Sequence, residues 1–123
     1  MTQHAKKCLF DVVAACDAVT SHLAGAVSVQ EYARSRLIRS AVEREFMLIG
    51  EAVNRFRAEE GNAVLPDAQQ IVRFRNFIAH EYDKVENEVV WNAAQRHVPK
   101  LKADALALLE ANGGIPTSFR EED

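Results

Sequence analysis

Residues 35–60 read SRLIRSAVEREFMLIGEAVNRFRAEE, and their apolar members Ile38, Val42, Phe46, Ile49, Val53 and Phe56 step by four, four, three, four and three. Those steps lay one apolar stripe along a 3.6-residue helix, so the spacing predicts a helix over about 35–60, stopped by Gly61-Asn62. Its other faces carry Arg39, Arg44, Arg55 and Arg57, with Glu43, Glu45 and Glu51 among them. Charges interleaved in this way read mainly as a solvated, mutually screened face rather than as a track for RNA. Gly50 falls in mid-helix, where it costs about 1 kcal/mol relative to Ala. A glycine held there predicts a close backbone approach by a neighbouring helix or subunit.

Upstream, Leu9, Val12, Val13, Cys16, Val19, Thr20 and Leu23 recur at three- and four-residue spacing, which predicts a first packing helix ending near Gly25. Ser28-Val29-Gln30-Glu31 has the form of a capping box and so the start of a short helix. Downstream, Asp67 after Pro66, with Gln70 three residues on, predicts the N-terminus of a third helix that buries Ile71, Phe74 and Ile78. A last helix is predicted from about Glu86, with Val90, Ala94, Val98, Leu101, Ala105 and Leu108 on its buried stripe and a kink at Pro99. Asn112-Gly113-Gly114-Ile115-Pro116 ends it, and Thr117–Asp123 reads as a polar, disordered tail. No strand pattern, internal repeat or low-complexity tract interrupts this. The fold class is therefore all-α, an antiparallel up-and-down bundle of about four main helices over residues 1–112, followed by the tail 113–123.

A chain of 123 residues, 48% hydrophobic, suffices for one domain and one core. Fifteen Lys and Arg against eighteen Asp and Glu give a net charge of -3, which argues against broad electrostatic coating of nucleic acid but leaves room for a local basic cleft. Between Tyr32 and Ala79 the balance reverses, with eight Arg against six acids. Cys8 and Cys16 on one helix would lie about 12 Å apart along its axis, beyond disulfide reach. The four His (4, 22, 80, 97) show no zinc-ligand spacing, so neither a metal nor a cofactor is expected. Met1-Thr2-Gln3-His4-Ala5-Lys6-Lys7 leads into no apolar signal core, and no segment approaches the roughly 18 continuous apolar residues of a membrane span, so a cytoplasmic location is the expectation.

The chemistry concentrates in Arg75-Asn76-Phe77-Ile78-Ala79-His80-Glu81-Tyr82. Histidine is the side chain whose unperturbed pKa lies close enough to neutrality to take and give a proton, and the guanidinium fork of Arg matches a phosphate. A cation and a proton carrier together suggest work on a phosphodiester. On one unbroken helix, however, Arg75 and His80 diverge by about 140°. They meet on one phosphate only if the helix unwinds between Ala79 and Tyr82, or if a second copy of the chain supplies one of them. Taken singly, each residue has a plainer reading. An Arg and a helix-terminal His can serve the last carbonyls of a helix, and Tyr82 can be a core aromatic with a wet hydroxyl. Trp91, Phe46, Phe56, Phe74 and Phe77 read as packing, with Phe77 stacking on a base as the alternative. His4, His22 and His97 read as structural or exposed. Glu81 either repels RNA or, pointing inward, stabilises a protonated His80.

The run Ile71-Val72-x-Phe74-Arg75-Asn76-x-Ile78-Ala79-His80-x-Tyr82-Asp83-x-Val85, with Val90-Trp91 downstream and Ile49-Gly50-Glu51-Ala52 upstream, resembles the HepT-like toxins of the HEPN superfamily, over about Leu9 to Leu109. The resemblance implies a homodimeric helical bundle acting as a metal-independent endoribonuclease toxin of a type VII-like toxin-antitoxin system. It implies Arg75 and His80 as the catalytic pair, Asn76 as a supporting polar residue and Tyr82 as the acceptor of AMP from a cognate MntA-like nucleotidyltransferase antitoxin. A larger hetero-oligomer with that antitoxin is a further option. The chemistry expected is in-line attack of a ribose 2′-hydroxyl on the adjacent phosphate, with His80 as general base or acid and Arg75 on the non-bridging oxygens. AMP on Tyr82 would add bulk and negative charge where RNA phosphates dock. The competing expectation is a non-catalytic accessory subunit of a nucleotidyltransferase, in which the same motif holds a nucleotide phosphate. A purely structural bundle is the third.

Overall fold

The structure, a computed structural model, describes residues 1–61 and 65–120, apart from the side chain of Tyr82. The chain runs α1 (Gln3–Leu23), α2 (Val29–Arg34), α3 (Arg36–Glu59), α4 (Ala68–His80), a 3-10 turn (Tyr82–Lys84), α5 (Asn87–Asn92), a π turn (Ala93–His97), α6 (Val98–Ala111) and a last helical turn, α7 (Thr117–Arg120). Among the described residues there is no strand. Four long rods, α1, α3, α4 and the continuous α5–α6, make the all-α bundle that the periodicity predicts.

Contacts at both ends fix the directions. Thr2 Oγ1 donates to Glu59 Oε1 at 2.9 Å and the Met1 ammonium lies 3.8 Å from Glu60, so the start of α1 meets the end of α3. His22 Nε2, near the end of α1, sits 3.4 Å from Glu45 in the first half of α3. The two helices are therefore antiparallel. Lys102 Nζ, 2.6 Å from Asp17, and the Phe10–Phe119 rings, 5.6 Å apart, show that the chain from α6 onward runs back along α1, antiparallel to it.

Local chemistry explains the helix ends. Thr2 Oγ1 accepts from the Ala5 N–H at 3.0 Å, and Ser35 Oγ from the Ile38 N–H at 3.1 Å, each satisfying an otherwise orphaned first-turn donor. At α2, Ser28 Oγ accepts from the Glu31 N–H at 3.2 Å, while Glu31 Oε2 accepts from Val27 N–H at 2.8 Å. The capping box is thus present, with the Glu reaching one residue further back than the standard pattern. Gly113 and Gly114, at φ 97° and 81°, turn the chain out of α6 in the left-handed region that a side chain would strain.

Several expectations need correction. Asp67 precedes α4, but at φ 63° its side chain makes no capping bond; the carboxylate lies 3.4 Å from Lys100 Nζ instead. At Pro99, by contrast, the helix continues without a break, as expected. The pyrrolidine has no N–H for the carbonyl four residues back and would crowd it, and the backbone widens into the π turn just before α6, leaving Pro99 in the first turn of α6, where a missing donor costs nothing. Thr20 is exposed rather than on the buried stripe, its hydroxyl donating to the Cys16 carbonyl at 3.3 Å. The tail is ordered through Arg120, because Phe119 covers Phe10. Its last three residues lie outside the described residues, as does Asn62 of the expected helix stop.

The core sits between α1, α3 and α6, where Leu9, Val12, Val19, Val42, Ile49, Val53, Phe56, Val90, Ala105 and Leu109 are at most 1% exposed. Each large apolar side chain so buried contributes roughly 1.5–3 kcal/mol. Tyr32 of α2 joins them, its ring 5.9 Å from that of Trp91 and its hydroxyl without a hydrogen-bond partner among the described residues. By contrast, α4 buries only Ile78 fully, with Ile71, Val72 and Phe74 half-buried against α3.

Candidate functional site

The motif lies on α4 because the apolar spacing Ile71, Phe74, Ile78 presses that helix onto α3, where the Phe74 ring meets Phe46 edge-on at 5.2 Å. The helix ends just past His80. The Glu81 N–H still donates to the Phe77 carbonyl at 2.8 Å, but Glu81 itself, at φ −128° and ψ 37°, has left the helical region, and its carbonyl accepts from Lys84 N–H at 2.8 Å to close the 3-10 turn. Unwinding therefore begins after both motif residues. Arg75 and His80 ride one regular helix, roughly 7.5 Å apart along the axis and about 140° apart around it. The chain does leave the helix between Ala79 and Tyr82, at Glu81, but only after His80, so Arg75 and His80 both keep their helical positions.

Arg75 is held from two sides. A Cβ placed on Gly50 would lie 2.2 Å from Arg75 Cβ and 2.5 Å from its Cγ, so the bare backbone of α3 at Gly50 is what lets the Arg75 stem lie against it. The close approach expected at Gly50 is thus real, and its partner is α4. Beyond the stem, Nη1 donates to Asn76 Oδ1 at 2.7 Å, while Nε is buried with no partner among the described residues. Asn76 thus touches Arg75 directly. An arginine orients poorly on its own; the stem contact and the amide restrict it to few rotamers.

His80 is the last residue of α4 and is exposed. Helical spacing aligns it with Arg73 and Asn76, and all three, with Phe77, lie on the outer side of the helix. Phe77 is 41% exposed, which corrects the packing expectation for it. The Glu81 carboxylate lies 3.6 Å from Lys84 Nζ. Tyr82 opens the 3-10 turn immediately after the helix, and its side chain lies outside the described residues.

Other features bound the chemistry. The arginines on the outer faces of α3 divide: Arg55 pairs with Glu51, Arg39 is half-buried and donates to the Ala33 carbonyl, and Arg44 and Arg57 are exposed. His4 lies 3.7 Å from Glu59, so two histidines without a partner evident in sequence, His4 and His22, each have one in space. Burial pushes the Cys16 thiol up to about 12, with Asp17 adding to the shift, and raises Cys8 as well; neither is a ready nucleophile. Both are free, as the spacing requires. A hollow of about 390 Å³ opens between α3, α4 and α6, lined by Phe46, Ile49, Ile71, Phe74, Val98 and Leu101 among others; among the described residues, none of Arg75 to Glu81 lines it. Among the described residues, no helix is long and apolar enough to cross a membrane, and no group of three or more His, Cys, Asp or Glu is placed to hold a metal ion.

The model of the family described as "Ribonuclease HepT-like" matches residues 14–108, and the chain belongs to that family. A Methanocaldococcus jannaschii protein named "Putative RNase MJ1380" is 28% identical over 80 residues, covering 63% of this chain and 72% of that protein. Family and relative together support ribonuclease activity. No solved structure matches the chain at a significant level.

Proposed function

We propose that the chain is a metal-independent endoribonuclease, the toxin of a toxin-antitoxin pair, working as a homodimer in which Arg75 of one protomer faces His80 of the other. The family match carries the reading, because residues 14–108 enclose Arg75, Asn76, His80 and Tyr82 together. The nucleophile is the ribose 2′-hydroxyl beside the scissile phosphate. As its proton leaves to His80, the oxygen attacks phosphorus, the P–O5′ bond breaks, the departing 5′-oxygen takes a proton from water while His80 returns its own proton to solvent, and the products are a 2′,3′-cyclic phosphate and a free 5′-hydroxyl. Arg75, braced by Asn76, holds the non-bridging oxygens and offsets the charge growing there. No metal is needed to generate the nucleophile, since RNA brings its own. Tyr82, one residue beyond the helix C-cap, is the acceptor for AMP from a nucleotidyltransferase antitoxin; the added phosphate places negative charge beside the anion site.

The test uses purified protein, RNA and a DNA strand of the same sequence, in the presence of a metal chelator. Cleavage of RNA alone, with cyclic phosphate ends, is expected, and His80→Ala should lower it by about 10²–10⁴-fold. Cutting of DNA, or undiminished activity in folded His80→Ala, would overturn the assignment. A second reading rests on the helical positions of Arg75 and His80, about 140° apart around α4, which suit an accessory subunit that binds a nucleotide phosphate and cuts nothing. In that case the protein binds AMP through Arg75 while RNA stays intact.

A further inference from the structure

We infer that Gly50 is a positioning residue for the Arg75 guanidinium, acting through the absence of a side chain. This rests on the ribonuclease reading for its effect on catalysis, and on geometry alone for its effect on Arg75. Gly50 is buried in the middle of α3, where a glycine weakens the helix relative to alanine. Its place there matches the contact it permits. The atoms a Gly50 methyl would strike, at 2.2 and 2.5 Å, are Arg75 Cβ and Cγ, not the free end of a flexible chain. Cβ is fixed to the α4 backbone, so no rotamer change removes the first clash. Relief requires α4 to move away from α3 by more than 1 Å to regain ordinary carbon–carbon contact at roughly 3.5–4 Å.

Such a shift carries the guanidinium with it. The Nε–H is buried now, and Nη1 reaches Asn76 Oδ1 at 2.7 Å. Asn76 rides on the same helix and would move along, so that hydrogen bond survives, whereas the stem that now lies against Gly50, and the Nε beyond it, shift relative to α3. Gly50 therefore sets where the guanidinium stands relative to the rest of the bundle, and Asn76 sets its orientation on α4. A misplacement of about 1 Å at a catalytic group can cost 10²-fold in rate.

The experiment compares wild type, Gly50→Ala, Arg75→Gly and the double variant as full-length chains. In folded Gly50→Ala we expect kcat on RNA to fall about 100-fold with KM within twofold, and the Arg75 15Nε–H resonance, identified by its loss in Arg75→Lys, to shift. Gly50→Ala that retains full kcat and an unmoved Arg75 signal would overturn the inference. If Gly50→Ala melts too low to assay, the double variant decides, because Arg75→Gly removes both atoms the methyl strikes. Recovery of the melting temperature to that of Arg75→Gly alone supports the contact, and no recovery refutes it. Wild-type protein that cuts no RNA would sink the ribonuclease reading, and the Arg75 resonance would then judge Gly50 by itself.

Discussion

Mixing two dead variants should restore a defined fraction of activity. Arg75 and His80 lie on one regular helix ending at His80, about 140° apart around its axis. If RNA is cut where Arg75 of one protomer meets His80 of its partner, Arg75→Ala and His80→Ala are each inactive, since every site in either homodimer lacks one group. When equal amounts are unfolded together and refolded, random pairing makes about half the dimers mixed, each pairing the intact Arg75 of one chain with the intact His80 of the other at one of its two sites. The expected rate is therefore roughly a quarter of wild type per protomer. A site built within one protomer has no such recourse, because every protomer in the mixture carries a lesion. The assay is cleavage of a fluorescent RNA, with subunit exchange verified by a mass tag on one variant. Activity that stays at the level of the parents while mixed dimers are present would refute the composite site, and so would a chain that remains monomeric and active.

Two smaller expectations follow from side chains away from the motif. Burial raises the Glu43 carboxyl above its ordinary value of 4.5, with Arg39 pulling the other way. Folding thus favours the neutral form. As pH rises the unfolded chain loses this proton first, so stability from this group is full below 4.5 and falls as pH climbs through the raised folded value. Glu43→Gln, always neutral, should melt higher than wild type at neutral pH, with the difference closing in acid; a constant offset in thermal melts across that range would contradict it. Phe119→Ala should lower stability by about 1 kcal/mol in urea unfolding through loss of the aromatic pair with Phe10, whereas an undocked tail would show no change.

The long helices were legible because their apolar residues repeat at 3.6 over many turns, and burial of Val42, Phe46, Ile49, Val53 and Phe56 follows that stripe directly. The features that escaped depend on single residues answering to distant ones. Asp67 has the composition of a cap, but Lys100, 33 positions away, takes its carboxylate. Pro99 announces a disturbance without saying whether the helix bends or widens. Phe119 stands among polar neighbours, and only its partner 109 positions earlier explains why the tail docks. Tyr32, in a short helix with no periodicity to read, is among the largest fully buried side chains. At the candidate site, residue types and spacing could be read in full, as could the need for something small at Gly50. That Arg75 is what lies over Gly50, and that Glu81 turns to Lys84, required the fold.

Among the three single long helices α1, α3 and α4, the one bearing the motif is also the least sewn into the core, with Ile78 its single fully buried residue against nine on α1. Fewer apolar atoms then need to be exposed to water for α4 to lift away than for either neighbour, so its amide hydrogens should exchange with deuterium sooner than those of α1 or α3. A partner that clasps the outer side of α4 would slow that exchange selectively. Its grip could be followed as protection of one helix while the rest of the bundle keeps time unchanged.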